Sequence, residues 1–211
     1  MEGGFSMPTH RDVVTLPILP WSGVLFPGTR MSLSVPEPRH RAMIMESSER
    51  DTGFVLSLNR HPNGTELSSW SEPQSIGTVA RVLNTTDSAN RLYVELVGVS
   101  RVSLLSFRLV QETLVGQFRF MPDTEETVPG PLIDEAHALG SEIWGLGRAT
   151  ATHPVIPKTP ESLSYWIAAM VRVAISTQQE LLEIRSTRGR LAKEISLLRS
   201  QMDGIRAEHS G

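Results

Sequence analysis

Several residue types and patterns are scarce in this sequence, and each absence excludes a class of protein. None of the 211 residues is cysteine, which excludes a disulfide framework, a thiolate metal site and a cysteine nucleophile. Lys158 and Lys193 are the only lysines, so the other 18 of the 20 basic residues are arginines. A net charge of −3 does not supply the positive field that non-specific nucleic-acid binding needs, so a nucleic-acid partner is not expected.

Long apolar runs are also missing from the chain. No stretch reaches the 18 or so apolar residues of a membrane-spanning helix, and the N-terminal residues have no signal-peptide core. We therefore expect a cytoplasmic protein, in a bacterial cytosol or an organelle stroma, with no membrane partner.

The familiar catalytic motifs do not occur either. The sequence contains no G-x-x-x-x-G-K-[ST] phosphate loop, no G-x-S-x-G elbow and no H-E-x-x-H zinc helix, and its six histidines lack ligand spacing. A serine–lysine dyad would have to use Lys158, in a proline-rich segment, or Lys193, on the charged side of a predicted helix. Neither position suggests the buried lysine that such a base needs. We predict no catalytic residue, no metal and no cofactor.

The first half of the chain has the pattern of a β domain. Apolar and polar residues alternate from Met31 to Val35, and residues 54–58, 76–83, 91–99, 101–107 and 109–120 are further candidate strands. Residues 84–90 are turn formers, and residues 39–50 can form a short helix. The spacing predicts an antiparallel barrel or sandwich over residues 1–121, in which residues 1–14 are a flexible tail.

The second half, residues 122–211, has the pattern of a helical subdomain, so the chain as a whole is predicted to be α+β. An acidic, proline-containing linker precedes candidate helices at about 131–148, 160–174 and 177–207. The last helix has apolar residues in a heptad pattern at Ile184, Leu191, Ile195, Leu198, Met202 and Ile205. We expect it to pack on the two preceding helices, and a homodimer through residues 184–205 is the alternative.

Charge is unevenly placed in this half. Residues 120–147 contain six acids and no basic residue, whereas residues 185–206 are net basic. The two segments could face each other, or each could form a solvated helix face. We expect the second arrangement, because it is the more common one.

Several segments, taken in order, resemble the Lon protease amino-terminal domain family. Residues 16–28 (LPILPWSGVLFPG) and 31–44 (MSLSVPEPRHRAMI) resemble its opening, and residues 76–80, 97–101 and 162–191 resemble its later parts. Four residues fit the Glu-Pro-Arg-Tyr-Arg core of the family: Glu37, Pro38, Arg39 and Arg41. Two positions depart from the pattern, since Pro36 replaces an aromatic residue and His40 replaces the tyrosine.

The resemblance implies a PUA-like antiparallel β-barrel followed by a C-terminal helical bundle with a long last helix. It also implies a stand-alone Lon-domain protein that lacks the ATPase and protease domains. The signature residues are expected to hold the structure rather than contact a ligand: Pro27, Gly28, Glu37, Pro38, Arg39, Arg41 and Gly77.

The function implied by the resemblance is non-catalytic binding of exposed peptide segments, or of a protein partner, in proteostasis. Trp21, Met31 and Trp70 are the candidate peptide contacts, because exposed tryptophan and methionine form adaptable apolar surfaces. Two alternatives remain open. One is an RNA-binding module, suggested by the PUA-like barrel and the arginine excess, and the other is a minimal peptidase.

Overall fold

The structure is a computed structural model that describes residues 13–60, 72–88, 90–147 and 155–209. The strands are β1 (Val13–Trp21), β2 (Arg30–Val35), β3 (Phe54–Leu58), β4 (Ile76–Ser88), β5 (Arg91–Val110) and β6 (Thr113–Phe120). The helices are α1 (Pro38–Glu49), α2 (Gly130–Gly147), α3 (Pro160–Met170), α4 (Ile175–Glu183) and α5 (Thr187–His209). The α+β class is thereby confirmed. Val13 and Val14 belong to β1 rather than to the tail predicted for residues 1–14, and the rest of that predicted tail, residues 1–12, lies outside the described residues.

The chain forms two compact units. We call Met1–Leu25 with Arg30–Pro122 the strand unit, and Phe26–Thr29 with Asp123–Gly211 the helical unit. The division in the linker falls one residue after the boundary predicted from sequence. The short segment Phe26–Thr29 groups with the helices, and the Phe26 ring centroid lies 6.4 Å from that of Tyr165.

The six strands form one sheet in the order β2-β5-β4-β3-β1-β6, and β5 also pairs with β6. Strands β5, β4, β3, β1 and β6 therefore make a closed circuit of hydrogen-bonded pairs. The β1–β3 pair is parallel, whereas the other pairs are antiparallel. The expectation of a wholly antiparallel arrangement is wrong at this pair, because β2 and α1 form the long crossover that parallel strands need.

Two apolar cores stabilise the strand unit. Each of the five strands in the circuit contributes one buried residue to the first core, which consists of Ile18, Val55, Val79, Val102 and Phe118. The second core includes residues of β2 and α1, among them Leu33 and Ile44, packed with Leu19, Phe54 and Leu56. Phe54 and Leu56 of β3 belong to the second core and Val55 to the first, and all five residues of the strand are buried. A strand buried on both faces shows no polar alternation.

Strand β5 differs from the sequence prediction. It runs from Arg91 to Val110 without a break, where separate strands were expected at 91–99 and 101–107, and the strand expected at 109–120 begins only at Thr113, as β6. A register shift between Leu104 and Ser106 lets β5 bend instead of ending. Strand β4 likewise extends through the expected turn at residues 84–88 and pairs with β5 there.

The β5–β6 turn has an unusual backbone. Gln111 and Glu112 have φ values of 45° and 68°, and Val110 pairs with Thr113 across the turn. Such a two-residue turn favours Asn-Gly, since other side chains are strained at positive φ. We expect Gln111→Asn combined with Glu112→Gly to raise the free energy of unfolding by roughly 1 kcal/mol. Urea denaturation measures this change, and an unchanged or lower midpoint would contradict it.

Two signature glycines have different structural reasons. Gly28 has φ +74°, and Thr29 N donates to Phe26 O at 3.1 Å, so Pro27 and Gly28 form the centre of a type II turn. Gly77 lies where chains approach closely, because a Cβ there would be 2.9 Å from both Leu56 O and Val55 Cγ1.

Gly77→Ala is expected to lower the free energy of unfolding by about 1–3 kcal/mol, because the added methyl group meets backbone that has no room to move. Gly145→Ala is the matched control, since nothing lies within 4 Å of its added Cβ in α2. Thermal unfolding of both variants tests the difference, which would be refuted by equal midpoints.

The last predicted helix, 177–207, is wrong as a single element, because α4 and α5 are separated by residues 184–186. The break frees two carbonyl groups. Ile184 O accepts from Arg190 Nη1 at 2.8 Å, and Arg185 O accepts from Thr124 N at 2.9 Å. Ser186 Oγ then caps α5 by accepting from Gly189 N at 2.8 Å. Helix α3 also ends at Met170, four residues earlier than predicted.

The heptad residues of α5 lie mostly inside the helical unit. Leu191, Ile195, Leu198 and Met202 are buried, and α5 packs against α2 and α3 of the same chain. The homodimer through residues 184–205 stays a prediction.

Candidate functional site

Two of the three predicted peptide contacts lie beside each other in the strand unit. Trp21 ends β1 and Met31 lies in β2, and both are half-buried. A Cβ on Gly23 would be 3.5 Å from Trp21 Cδ1 and 3.9 Å from Met31 Cε, so the two side chains flank this glycine. Together with Val82 they pack on the second core, and we call these three residues the apolar rim. Trp70 lies outside the described residues.

The signature charges lie at the corner between β2 and α1. Glu37 Oε2 accepts from Arg39 Nη2 at 3.0 Å and lies 2.9 Å from His40 Nδ1. Arg41 Nη2 donates to Asp87 Oδ1 of β4 at 2.7 Å. Burial lowers the pKa of His40, although the Glu37 carboxylate opposes this shift, so the neutral imidazole is favoured at neutral pH. Glu37 thus joins Arg39 and His40 at this corner, while Arg41 connects α1 to β4.

Pro36 does not disturb the strand ladder. It is exposed and lies between the end of β2 and the start of α1. Because Pro36 lies outside β2, no hydrogen bond of the sheet requires the N–H group that proline lacks. Pro38 is the first residue of α1, a position where proline is well tolerated.

The outer end of β5 carries an unexpected concentration of exposed apolar side chains. Nine large hydrophobic residues of the described chain are exposed, and four of them lie within residues 105–110. They are Leu105, Phe107, Leu109 and Val110. The sequence marks this stretch as a strand, but it contains no signal that the side chains lack a covering layer.

The helical unit contains a buried polar cluster that sequence reasoning also missed. The Arg190 side chain is fully buried, and its Nη2 donates to Asp123 Oδ2 at 2.7 Å. Its Nε donates to Ser164 Oγ at 2.6 Å, and its Cζ lies 4.1 Å from the ring centroid of Tyr165. Tyr165 OH donates to Asp123 Oδ1 at 2.9 Å, which joins α3, α5 and the linker in one network.

Glu194 completes this cluster from the next turn of α5. Ser164 Oγ donates to Glu194 Oε1 at 2.9 Å, whereas Oε2 has no hydrogen-bond partner within the described chain. Burial raises the pKa of Glu194 to about 8, against the lowering effect of Ser164 and Arg190. Ser164 and Glu194 are both fully buried, and their contacts with Arg190 and each other join α3 to α5.

The acidic and basic segments of the helical unit face each other, so the expectation of separate solvated faces is wrong. Arg199 of α5 forms an ion pair with Glu135 of α2, and Arg206 Nη2 lies 3.6 Å from Glu142 Oε1 on the same two helices. The acidic linker also contacts the basic segment, because Glu126 Oε1 accepts a hydrogen bond from Arg188 N at 2.9 Å at the start of α5. This bond lowers the pKa of Glu126.

The two lysines lie in different surroundings. Lys193 Nζ contacts Glu180 Oε2 at 2.6 Å, and Lys158 is exposed. Among the described residues, no three His, Asp or Glu side chains are placed to hold a metal ion. Within the same residues, no helix is long and apolar enough to cross a membrane.

The comparison with known families decides the identity of this fold. Residues 15–200 match the family described as the ATP-dependent protease La (LON) substrate-binding domain. The chain belongs to this family. The match spans β1 to α5, so both units are parts of the LON substrate-binding domain.

Solved structures of LON amino-terminal domains share the fold. A Lon N-terminal domain protein from Xanthomonas campestris aligns with TM-score 0.66 and 19% identity over 87% of this chain and 98% of that one. The N-terminal domain of a Mycobacterium avium complex Lon protease aligns with TM-score 0.63 and 15% identity over 88% of this chain and 98% of that one.

A full-length curated relative is much longer than this chain. Lon protease 2 of Sorangium cellulosum is 25% identical over 219 residues, which cover 95% of this chain but 26% of the relative. The similarity is thus confined to about a quarter of that protease.

Proposed function

We propose that the protein is a non-catalytic recognition module that binds exposed peptide segments, or a protein partner that displays them, in proteostasis. Membership of the LON substrate-binding family supports binding of protein substrates. As part of the same proposal, the closed strand circuit is a PUA-like barrel and the packed helices are a C-terminal bundle.

The observation that carries the proposal is the apolar rim. Trp21 and Met31 are half-buried on a well-packed core, so part of each side chain is held in place while part faces solvent. Tryptophan and methionine bind varied apolar side chains because one offers a large flat surface and the other adapts its shape. This combination suits a site that must accept many sequences.

Fluorescence anisotropy with labelled apolar peptides tests the proposal. We expect binding with dissociation constants of tens of micromolar or tighter, corresponding to roughly 6 kcal/mol. Met31→Ser should weaken binding several-fold, whereas Met45→Ser, at an exposed position on α1, should not. An RNA oligonucleotide is the comparison ligand, since RNA binding would fall steeply with salt. Failure of the wild-type protein to bind any apolar peptide would exclude this function.

A further inference from the structure

We propose that the outer edge of β5 over residues 105–110 binds an extended polypeptide segment containing apolar and acidic residues, which adds to the sheet as another strand. The inference rests on the proposed function and gives it a second contact surface, a binding mode and a charge preference. We call residues 105–115 the hairpin tip.

Exposure is the first observation. Leu105 is 47% exposed, Phe107 44%, Leu109 39% and Val110 39%. Single exposed apolar residues are normal on protein surfaces, but contiguous ones mark binding sites more often. Phe107 and Leu109 share one face of the strand, Val110 lies on the other face, and Leu105 adjoins Phe107 at the register shift. Exposed apolar side chains are thus concentrated along this short stretch of β5.

The strand register shows that this surface continues a core. Phe107 pairs with Gly116, and Leu109 pairs with Leu114, so these four residues share one face of the hairpin. Phe118 lies on the same face two residues beyond Gly116 and belongs to the first core, against which Leu114 also packs. The apolar face of that core therefore extends outward along the hairpin tip.

Among the described residues, β5 has no strand partner on one side at the same place. Pairing of β5 with β4 begins at Ser103, opposite Ile76, and Leu104 N donates to Ser75 O at 2.7 Å. Over residues 105–110, β6 is the only strand of the described chain that pairs with β5. An edge of this kind can bind an extended peptide through main-chain hydrogen bonds, which depend little on sequence.

Charge indicates what the segment should contain. Arg108 pairs with Val115, and Arg119 lies four residues further along β6, so both arginines share the face opposite Phe107. Both are exposed, and among the described residues neither has an ion-pair partner. Glu112, in the turn, is the only acid between residues 104 and 120. Acidic residues of a bound strand would therefore meet unopposed positive charge.

The same charges argue against a second copy of this chain as the occupant. A two-fold symmetric contact between two β5 edges would bring Arg108 of one copy near Arg108 of the other. Like charges facing each other across a contact are unfavourable, whereas an acidic segment pairs with them.

Peptide binding to the full chain tests the inference. The probe is a labelled peptide of about eight residues that alternates leucine with aspartate, and its partner peptide carries lysine in place of aspartate. We expect the aspartate peptide to bind about tenfold more tightly than the lysine peptide, and this ratio to shrink at high salt. Arg108→Glu combined with Arg119→Glu should reverse the preference. An equal affinity for both peptides at low salt would overturn the charge preference.

Matched serine variants test the location. Leu105→Ser with Phe107→Ser should weaken binding of the aspartate peptide about tenfold. Leu83→Ser with Tyr93→Ser is the control, because these residues are equally exposed, at 41% and 49%, on the same sheet but away from the hairpin tip. Thermal unfolding checks that both double variants fold. Equal losses in the two variants would contradict the location.

The binding mode has its own test. Two peptides are compared, one N-methylated at the odd-numbered residues and the other at the even-numbered residues. One of them should lose affinity and the other should keep it, since only one set of N–H groups of an added strand faces β5. Uniform tolerance of methylation would refute strand addition.

Two further results would have different meanings. A homodimer in light scattering that the Leu105→Ser, Phe107→Ser variant abolishes would identify the hairpin tip as a self-association surface and overturn the proposal. If the wild-type protein binds no apolar peptide at all, the proposed function itself fails, which is a different result from binding that the hairpin variants leave intact.

Discussion

Replacing Arg190 with methionine is expected to lower the free energy of unfolding by about 3–5 kcal/mol, the largest effect of any single substitution considered for this chain. The Arg190 side chain is fully buried and donates to Asp123, Ser164 and the carbonyl of Ile184. Methionine fills a similar volume but donates no hydrogen bond. The substitution therefore leaves the Asp123 carboxylate without its cationic partner in a site where water cannot easily replace it.

The position of Arg190 explains why the effect should exceed that of an ordinary ion pair. Its carbonyl contact at Ile184 lies at the break between α4 and α5, and its Asp123 contact lies in the linker. One side chain thus holds three segments that would otherwise separate on local opening. Loss of the guanidinium should reduce unfolding cooperativity as well as the midpoint.

Arg199→Met is the matched control, because Arg199 lies on the same helix and pairs with Glu135 but is 63% exposed. Exposed pairs contribute about 0.2–1 kcal/mol, so this variant should stay close to the wild type. Guanidinium denaturation followed by circular dichroism measures both variants. Similar losses for the two arginines would show that burial does not make the Arg190 contacts special.

Local patterns predicted several elements well. The strand at residues 54–58 coincides with β3, and the helix predicted for residues 39–50 lies within one residue of α1. Both have clear local signals, a short apolar run in one case and a run of helix formers in the other. Such signals act over a few neighbouring residues, so they need no knowledge of the rest of the fold.

Features that depend on distant residues could not be predicted in the same way. The parallel β1–β3 pair joins segments separated by β2 and α1, and nothing within either strand specifies its direction. The break at residues 184–186 lies inside a continuous heptad pattern, which favours an unbroken helix. Its cause is the set of partners for the carbonyls of Ile184 and Arg185, and these come from Arg190 and Thr124.

The candidate sites show the same limit. The sequence indicated Trp21 and Met31 as individual residues, but their proximity beside Gly23 follows from the pairing of β2 with β5 and the packing of the second core. The hairpin tip was missed because Phe107 and Leu109 alternate as in any half-buried strand. Whether the β5 edge beside them is paired depends on where β4 begins, at Ile76, which their own sequence does not encode.

Stability of the wild-type protein is expected to fall by on the order of 2 kcal/mol between pH 6 and pH 8, because Glu194 must give up its proton inside the helical unit. Burial raises the pKa of Glu194 from its ordinary 4.5 to about 8. In the unfolded chain the carboxyl group ionises near its ordinary pKa, so between these two values the native state binds more protons than the unfolded state. Stability is therefore greatest below the unfolded pKa and is lost as the pH rises through the folded one.

The residues around Glu194 explain why its carboxylate form is less stable than the protonated form in the native protein. Arg190 and the Ser164 hydroxyl group favour the carboxylate, whereas burial and the negative charge of Asp123 oppose it, and burial is the largest effect. Tyr165 of α3 and the Arg190 guanidinium are already engaged with Asp123. On the neighbouring helices, Glu135 of α2 pairs with Arg199 and Glu180 of α4 pairs with Lys193. Arg190 is the only cation among the groups that shift the pKa of Glu194.

Glu194→Gln separates this effect from every other titration. Glutamine has the shape of the protonated glutamic acid, keeps an oxygen for the Ser164 hydroxyl group and carries no charge at any pH. The unfolding free energies of variant and wild type should agree within about 1 kcal/mol near pH 5 and diverge steadily as the pH rises from there to 8, where the variant is the more stable. Subtracting the two curves cancels His40, whose lowered pKa acts in the opposite direction and equally in both proteins. Urea denaturation across this pH range measures the divergence, and parallel curves would mean that Glu194 is ionised in the native protein.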